Sequence, residues 1–501
     1  MRAADGKVPF GKWLPDLPVL DNPGMTEALN VLPVLATYKP YLPIVGIGDA
    51  LAARPQGAAA ALDSSSNTFI YAGTDADLYV RAGSAWTTKS GAVYTTASTG
   101  YWRFAQFDTT LVATNYADVP QSIDVGSGSN FADLALTGTA PRARQIGVIN
   151  RFVVLGDTID GTNGTVPTRL QWPAIDDPTN WPVPGSANAL SVQSGEQFMN
   201  ANYGPVTGIV GGDQFGIIFQ RSGLTRATYI GGNLVFQFDT IEEKRGALCP
   251  NAIAKVGKFT YFVSSDGFYV TDGVSVQPIG TGEVDTWFAD RFDTGYPERM
   301  YSAVDLSRKL ILWAFAGPGN TAGRPNNLLV YNYDEKRWTH AEDECEILSS
   351  GLTQGVSLDD LDAYFASLDL VSPGLDSSQW AGGVNTVSAF DSSNKFGTFS
   401  GTPGTATLDG QEVELNLGLY TRVQGIKPLV IGSSPVMTVA LGRRDDLGTA
   451  VAYSTDVSPT ARTGFCDFDS EARYNRSRLT IVGNFESAMG VLYQALPSGA
   501  T

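Results

Sequence analysis

Phe259-Thr260-Tyr261-Phe262-Val263-Ser264-Ser265-Asp266-Gly267-Phe268-Tyr269-Val270-Thr271-Asp272-Gly273 decides how this chain is read. Two runs of aromatic and β-branched residues flank a Ser-Asp-Gly turn, and a second Asp-Gly closes the next turn, which is the signature of consecutive β-hairpins. The unit recurs on both sides. Phe69-Ile70-Tyr71-Ala72-Gly73 pairs with Leu78-Tyr79-Val80 and ends near Trp86, and Phe104-Ala105-Gln106-Phe107 pairs with Leu111-Val112-Ala113. Arg151-Phe152-Val153-Val154-Leu155, Phe215-Gly216-Ile217-Ile218-Phe219 and Leu310-Ile311-Leu312-Trp313 with Leu328-Leu329-Val330-Tyr331 complete the series. Six such units, each roughly 35 to 60 residues, match the spacing of propeller blades. The expected fold class is all-β: a β-propeller of about six blades over residues 46–350. A pair of β-sandwich domains is the competing arrangement, and the internal repetition favours the propeller.

At 501 residues, with 55 glycines and 27 prolines and no sustained 3.6-residue apolar period, the chain exceeds what one core usually serves. Residues 1–45 are proline-rich: Trp13-Leu14-Pro15-Asp16, Asn22-Pro23-Gly24, Val31-Leu32-Pro33 and Tyr38-Lys39-Pro40. Proline interrupts hydrogen-bonded ladders, so this segment reads as an extended arm, anchored by Trp13 and Tyr38, that wraps the propeller or a neighbouring subunit. Its loss is expected to harm assembly more than the folding of one subunit. Residues 351–501 read as a separate C-terminal β-domain, because Gln411-Glu412-Val413-Glu414-Leu415-Asn416-Leu417 and Arg476-Ser477-Arg478-Leu479-Thr480-Ile481 alternate as half-exposed strands do.

Charge narrows the function. A formal net charge of -17 argues against a dedicated nucleic-acid binder, whose non-specific affinity comes from Lys and Arg on phosphates. The first residues lack the apolar core of a signal peptide, and no run is long enough to span a membrane, so a soluble protein assembled in the cytoplasm is expected. Three distant cysteines, Cys249, Cys345 and Cys466, and a single histidine, His340, offer no zinc or Cys-His pattern. There is no phosphate loop, and Gly46-Ile47-Gly48 lacks the context of a dinucleotide site. The adjacent pairs Asp176-Asp177 and Glu242-Glu243 would point to opposite faces of a strand and cannot flank one glycosidic bond. No catalytic residue, cofactor or metal is expected, and the protein reads as a non-enzyme.

Several segments resemble a known family. Trp13-x-Pro-Asp, Asn22-Pro-Gly, Ala28-x-Asn30-Val31-x-Pro33 and Tyr38-x-Pro40 look like the N-terminal signature of structural tail proteins of short-tailed bacteriophages. Arg169-Leu170-Gln171-Trp172 with Asp177-Pro178-Thr179-Asn180-Trp181 is similar to the same proteins, as are Asp266-Gly267-Phe268-Tyr269 and Ile279-Gly280 through Val284 to Trp287-Phe288. So are Leu358-Asp359-Asp360-Leu361-Asp362 and Arg473-Tyr474-Asn475-Arg476. The relatives in function are tail nozzle, or packaged-DNA stabilisation, proteins. The resemblance implies a virion tail location, a homo-hexameric ring, contacts to the adaptor or portal ring and to tail fibres or spikes, and transient passage of double-stranded DNA without membrane insertion. The evident C-terminal domain departs from that pattern. The alternative is a receptor- or glycan-binding propeller at the tail tip, which would expose aromatic side chains in a concave patch; Trp172, Trp181, Trp287, Trp313 and Trp338 instead sit at core positions.

Two groups of candidate residues follow. Between Arg337 and Lys395 there is no Lys or Arg, while Glu342, Asp343, Glu344, Glu346, Asp359, Asp360, Asp362, Asp369, Asp376 and Asp391 accumulate. Of these, Glu342, Asp343, Glu344, Asp359, Asp360 and Asp362 are candidates for an acidic channel wall or rim, which would repel DNA rather than brake it. Trp13, Tyr38, Tyr474, Arg476 and Arg478 are inter-subunit candidates, the last three because they share one strand face on which the guanidiniums could meet carboxylates of an adjacent surface.

Overall fold

The computed structural model describes residues 4–500 except 19–21, 366, 368, 370, 372, 373, 376, 378, 379, 417, 418 and 434. Its architecture is all-β and propeller-like. Each of the six units expected from the sequence lies in an antiparallel four-stranded meander, at 57–88, 103–133, 142–198, 206–242, 254–278 and 301–342. The hairpin Phe259–Ser264 with Gly267–Thr271 turns at Ser265 and Asp266, and Asp272 closes the following turn by accepting the N–H groups of Val274 and Ser275 at 3.0 and 2.9 Å. A further four-stranded sheet was not foreseen. It consists of Cys345–Leu352, Asn385–Asp391 and Lys395–Phe399, and its fourth strand is Ile44–Ala50 from the other end of the chain.

The first strands of these meanders are neighbours in series: Gly57–Leu62 lies against Arg103–Phe107, which lies against Arg142–Ile149, which lies against Val206–Val210. Val206–Val210 meets the turn Pro250–Ala252 that leads into Ala254–Val256, then Tyr301–Asp305 and Cys345–Leu352 follow, and the last returns to Gly57–Leu62. Sheets packed on both faces need continuous apolar strands, and Leu310–Phe315 is buried at every position. Between the sheets at 254–278 and 301–342, Phe268 packs on Trp313 and Trp338 with ring centroids 5.0 and 5.2 Å apart.

The C-terminal region forms two sheets over a shared core. One joins Thr405–Asp409, Tyr474–Val482, Val436–Arg444 and Ala452–Tyr453. The other joins Leu419–Ile431, Ser487–Ala500 and Cys466–Ala472. Their facing side chains include Leu408, Val423, Ile426, Leu441, Leu479, Ile481, Val491 and Tyr493, and this core is continuous with Trp313 and Trp338 of the propeller-like part.

Three expectations need correcting. The C-terminal module starts after Phe399, not at residue 351, because the strands between 385 and 399 complete the sheet that Ile44–Ala50 closes. Gln411 to Leu417 is no strand: Val413 makes a single bridge to Asn475, and Leu417 lies outside the described residues. The arm, expected to wrap the propeller or a neighbouring subunit and to matter for assembly rather than folding, lies on its own chain and contributes Ala4–Pro9, Val31–Val34 and Thr37–Pro40 to one C-terminal sheet. Glu27–Leu29 bridges Arg337–Glu342 to Thr405–Asp409, which fuses the propeller-like part and the C-terminal module into a nine-stranded sheet. Trp13, Met25, Ala28, Val31 and Tyr38 are fully buried in the chain's own core, so the arm belongs to the folding of one subunit.

Candidate functional site

The motifs at the N-terminus build a lock. Trp13 stacks on His340 at 4.8 Å and meets the edge of Trp287 at 4.9 Å, while its indole N–H donates to the carbonyl of Thr26. Asp16 accepts the N–H groups of Thr286 and Trp287 at 2.7 and 2.8 Å, capping the short helix Asp285–Ala289. Asn22 holds the Asn-Pro-Gly turn by accepting from Gly24 N–H and donating to Leu14 O. Tyr38 donates to Gly11 O at 2.6 Å, Arg337 covers its ring and donates to the same carbonyl, and burial pushes the phenol up to about 12. Trp13 and Tyr38, expected at an inter-subunit contact, are thus used up inside their own chain. His340 Nε2 is hydrogen-bonded to Glu27; burial pushes that carboxyl up, but the histidine and Ala28 N–H outweigh it and hold it below its ordinary value.

Asp285, within this lock, accepts from Phe268 N–H at 3.0 Å and from the Thr281 hydroxyl at 3.3 Å, and burial pushes its carboxyl up to about 6. A carboxyl whose folded pKa exceeds its unfolded one contributes stability that is fully present below the unfolded value, near 4, and is lost as pH rises through the folded one. Asp285→Asn keeps an acceptor for Phe268 N–H and removes the titration. Urea melts at pH 4 and pH 6.5 are expected to show the native chain losing stability relative to this variant over that interval; parallel pH curves would show that Asp285 titrates as an ordinary surface acid.

The acidic candidates do not gather. Glu342 and Glu344 are exposed, with Glu344 3.5 Å from Arg324. Asp343 turns inward: it accepts from the Tyr41 hydroxyl and Ile44 N–H at 2.9 and 2.8 Å, and burial raises its pKa. It is a latch on the arm and not a wall residue. Asp359, Asp360 and Asp362 are exposed at the far end of the strand Cys345–Leu352, about 25 Å along it, on a short helix that Ser357 and Asp360 cap reciprocally. Glu346 is buried between Arg299 and Arg324, at 2.5 and 2.6 Å, although the sequence around it contains no basic residue. Asp376 lies outside the described residues.

Tyr474, Arg476 and Arg478 share one half-exposed face of Tyr474–Val482, as the alternation implied. The carboxylate that meets the two arginines comes from the same chain: Asp409 lies 3.3 Å from Arg476 and 3.1 Å from Arg478, and Tyr453 donates to it at 2.5 Å. Arg169, in another of the family-like motifs, is fully buried, with Asp160 at 2.5 Å and the Thr158 hydroxyl at 2.7 Å. Trp172, Trp181, Trp287, Trp313 and Trp338 are all buried, so none of them offers a sugar-stacking face. The three cysteines are buried and unpaired, and burial pushes the Cys466 thiol up to about 11 and the other two higher still. Among the described residues no group of three or more His, Cys, Asp or Glu is placed to hold a metal, and no helix is long and apolar enough to cross a membrane.

A polar cluster that sequence reasoning missed lies where the first strands of the sheets begin. Those strands follow one another around a closed circuit, so residues at or just before their starts meet at one mouth. Arg103 opens Arg103–Phe107 and donates to Pro250 O, 147 residues away. Tyr101 accepts from Gln145 at 2.7 Å. Arg299 donates to Ala322 O and Glu346, Arg144 lies 3.0 Å from Asp157, and Arg54 donates to Ser98 O. Burial raises the Glu298 carboxyl against the opposing pull of Arg299, Arg54 and Arg144. Scattered over residues 54–346, these groups carry no spacing signal; only closure of the circuit unites them.

No protein-family model matches the chain, and no curated protein matches it. Among solved structures, the computationally designed Ika8 protein aligns with 71% of this chain and 98% of its own at 9% identity and a TM-score of 0.36. A chain of the mitotic checkpoint complex aligns with 73% of this chain and 96% of its own at 10% identity and a TM-score of 0.38. The propeller-like description rests on the chain's own circuit of sheets.

Proposed function

We propose that this chain is a non-catalytic structural subunit of a bacteriophage tail ring, a nozzle or hub that retains packaged DNA and conducts it during ejection. The observation that carries the reading is the use made of the family-like motifs: Trp13, Asp16, Asn22, Tyr38, Arg169 and Trp287 all lock elements together, and none is presented for chemistry. In this reading the circuit is a seven-bladed propeller whose last blade is closed by Ile44–Ala50, and the arm welds it to the C-terminal module as one rigid block. In this reading DNA passes between the subunits of a ring rather than along a subunit's own axis, in keeping with the reach of Arg103 from its own sheet to Pro250 O. Glu342, Glu344, Asp359, Asp360 and Asp362 are the exposed carboxylates available to such a wall or rim. Their repulsion of phosphates would reach about one Debye length, roughly 8 Å at physiological salt. The ring, a hexamer by the family resemblance, would sit in the virion tail between the adaptor or portal ring and the fibres or spikes.

Size-exclusion chromatography with light scattering, followed by negative-stain imaging, tests this. A closed ring of several copies is expected, alone or on addition of the adaptor ring. A chain that stays monomeric under both conditions would refute the ring. Charge reversal at Arg476 or Arg478 is unsuited to the purpose, because it would strand Asp409 inside the subunit.

A further inference from the structure

We infer that the mouth of the sheet circuit, between Arg54, Arg103, Arg299 and Tyr301, is a binding site for a small phosphate-like oxyanion. Hydrogen-bonding capacity is left unmet at this mouth. Arg54 and Arg103 have no carboxylate within ion-pair distance among the described residues; each gives a guanidinium N–H to one backbone carbonyl, Ser98 O and Pro250 O. The Nε groups of Arg103 and Arg299 are buried and have no partner, although Arg299 is only 7% exposed. A buried guanidinium donor left unmatched is costly, and a planar fork of donors suits the oxygens of a phosphate.

The neighbouring groups fit the same ligand. Burial pushes the Tyr301 phenol up to about 12 against the opposing pull of Arg54 and Arg299, and Tyr301 in turn acts on Arg103, so these four groups lie within electrostatic reach of one another. The Oε1 of Glu298 is also buried without a partner, and burial raises that carboxyl against the pull of Arg299, Arg54 and Arg144. Arg144 and Arg299 each have a carboxylate at ion-pair distance, Asp157 and Glu346, so the four arginines outnumber the three nearby carboxylates once Glu298 is counted. On a chain of net charge -17 this is a local reversal of sign at a point where several sheets converge.

Isothermal titration of the full-length protein with inorganic phosphate, at constant ionic strength set by chloride, is the test. One saturable site is expected, weakened at least tenfold in Arg103→Gln and in Arg54→Gln and unchanged in Arg422→Gln, whose exposed pair with Asp469 lies in the C-terminal module. Circular dichroism and phosphate-free melting identify any variant that has not folded, and the second arginine variant then carries the comparison. A parallel titration with a 5′-phosphorylated oligonucleotide and its unphosphorylated twin tells a free anion from a nucleic-acid end. Absence of saturable binding of either probe, or binding that both arginine variants retain, would overturn the site.

Discussion

Trp13→Ala is expected to destabilise the subunit by about 3–5 kcal/mol, the range for removing a large buried aromatic side chain. Trp13 is fully buried and touches three things at once: the rings of His340 and Trp287 and the carbonyl of Thr26. Its removal empties the junction where the arm, the short helix Asp285–Ala289 and the strand Arg337–Glu342 meet. The loss is expected to be independent of protein concentration, because every partner belongs to the same chain. Urea unfolding at two protein concentrations measures both points. A loss under about 1 kcal/mol, the usual range of a surface change, or one that grows on dilution, would return the arm to an inter-subunit role.

Glu346→Ala should cost a comparable amount, about 3–5 kcal/mol, because it leaves Arg299 without its carboxylate in a buried setting and removes one partner of Arg324. The pair of changes Glu346→Ala and Arg299→Met is expected to recover part of that loss, since the uncompensated charge is then gone. Thermal or urea melts of the two single variants and the double variant form the cycle. Additive losses would mean that the two side chains do not depend on each other.

The six hairpin units were legible because their turn chemistry and aromatic strands are local, as at Ser265-Asp266-Gly267. What escaped was non-local. The sheet closed by Ile44–Ala50 draws strands from residues 44–50 and 345–399, and no local pattern announces that pairing. The acidic run misled for the same reason: Glu346 has no basic neighbour in sequence and two in space, Arg299 and Arg324. Trp13 and Tyr38 were recognised as anchors, but a proline-rich strip gives no indication of whose surface it covers. Alternation on Tyr474–Val482 was read correctly down to the shared face of Arg476 and Arg478, whereas their partner Asp409, 67 and 69 residues away, was not readable.

The strand Ile44–Ala50 finds its partner only when Lys395–Phe399 exists, and Ala4–Pro9 finds its own only in Ser487–Ala500. During synthesis at roughly 5–20 residues per second, the first of these strands waits about 20–70 s for its mate. Throughout that interval Ile44, Val45 and Ile47 offer an unpaired β-edge to any other nascent chain, the situation in which strand exchange between copies competes with closure within one. The order of birth of its strands thus makes the time before the circuit closes the period of greatest aggregation hazard for this protein.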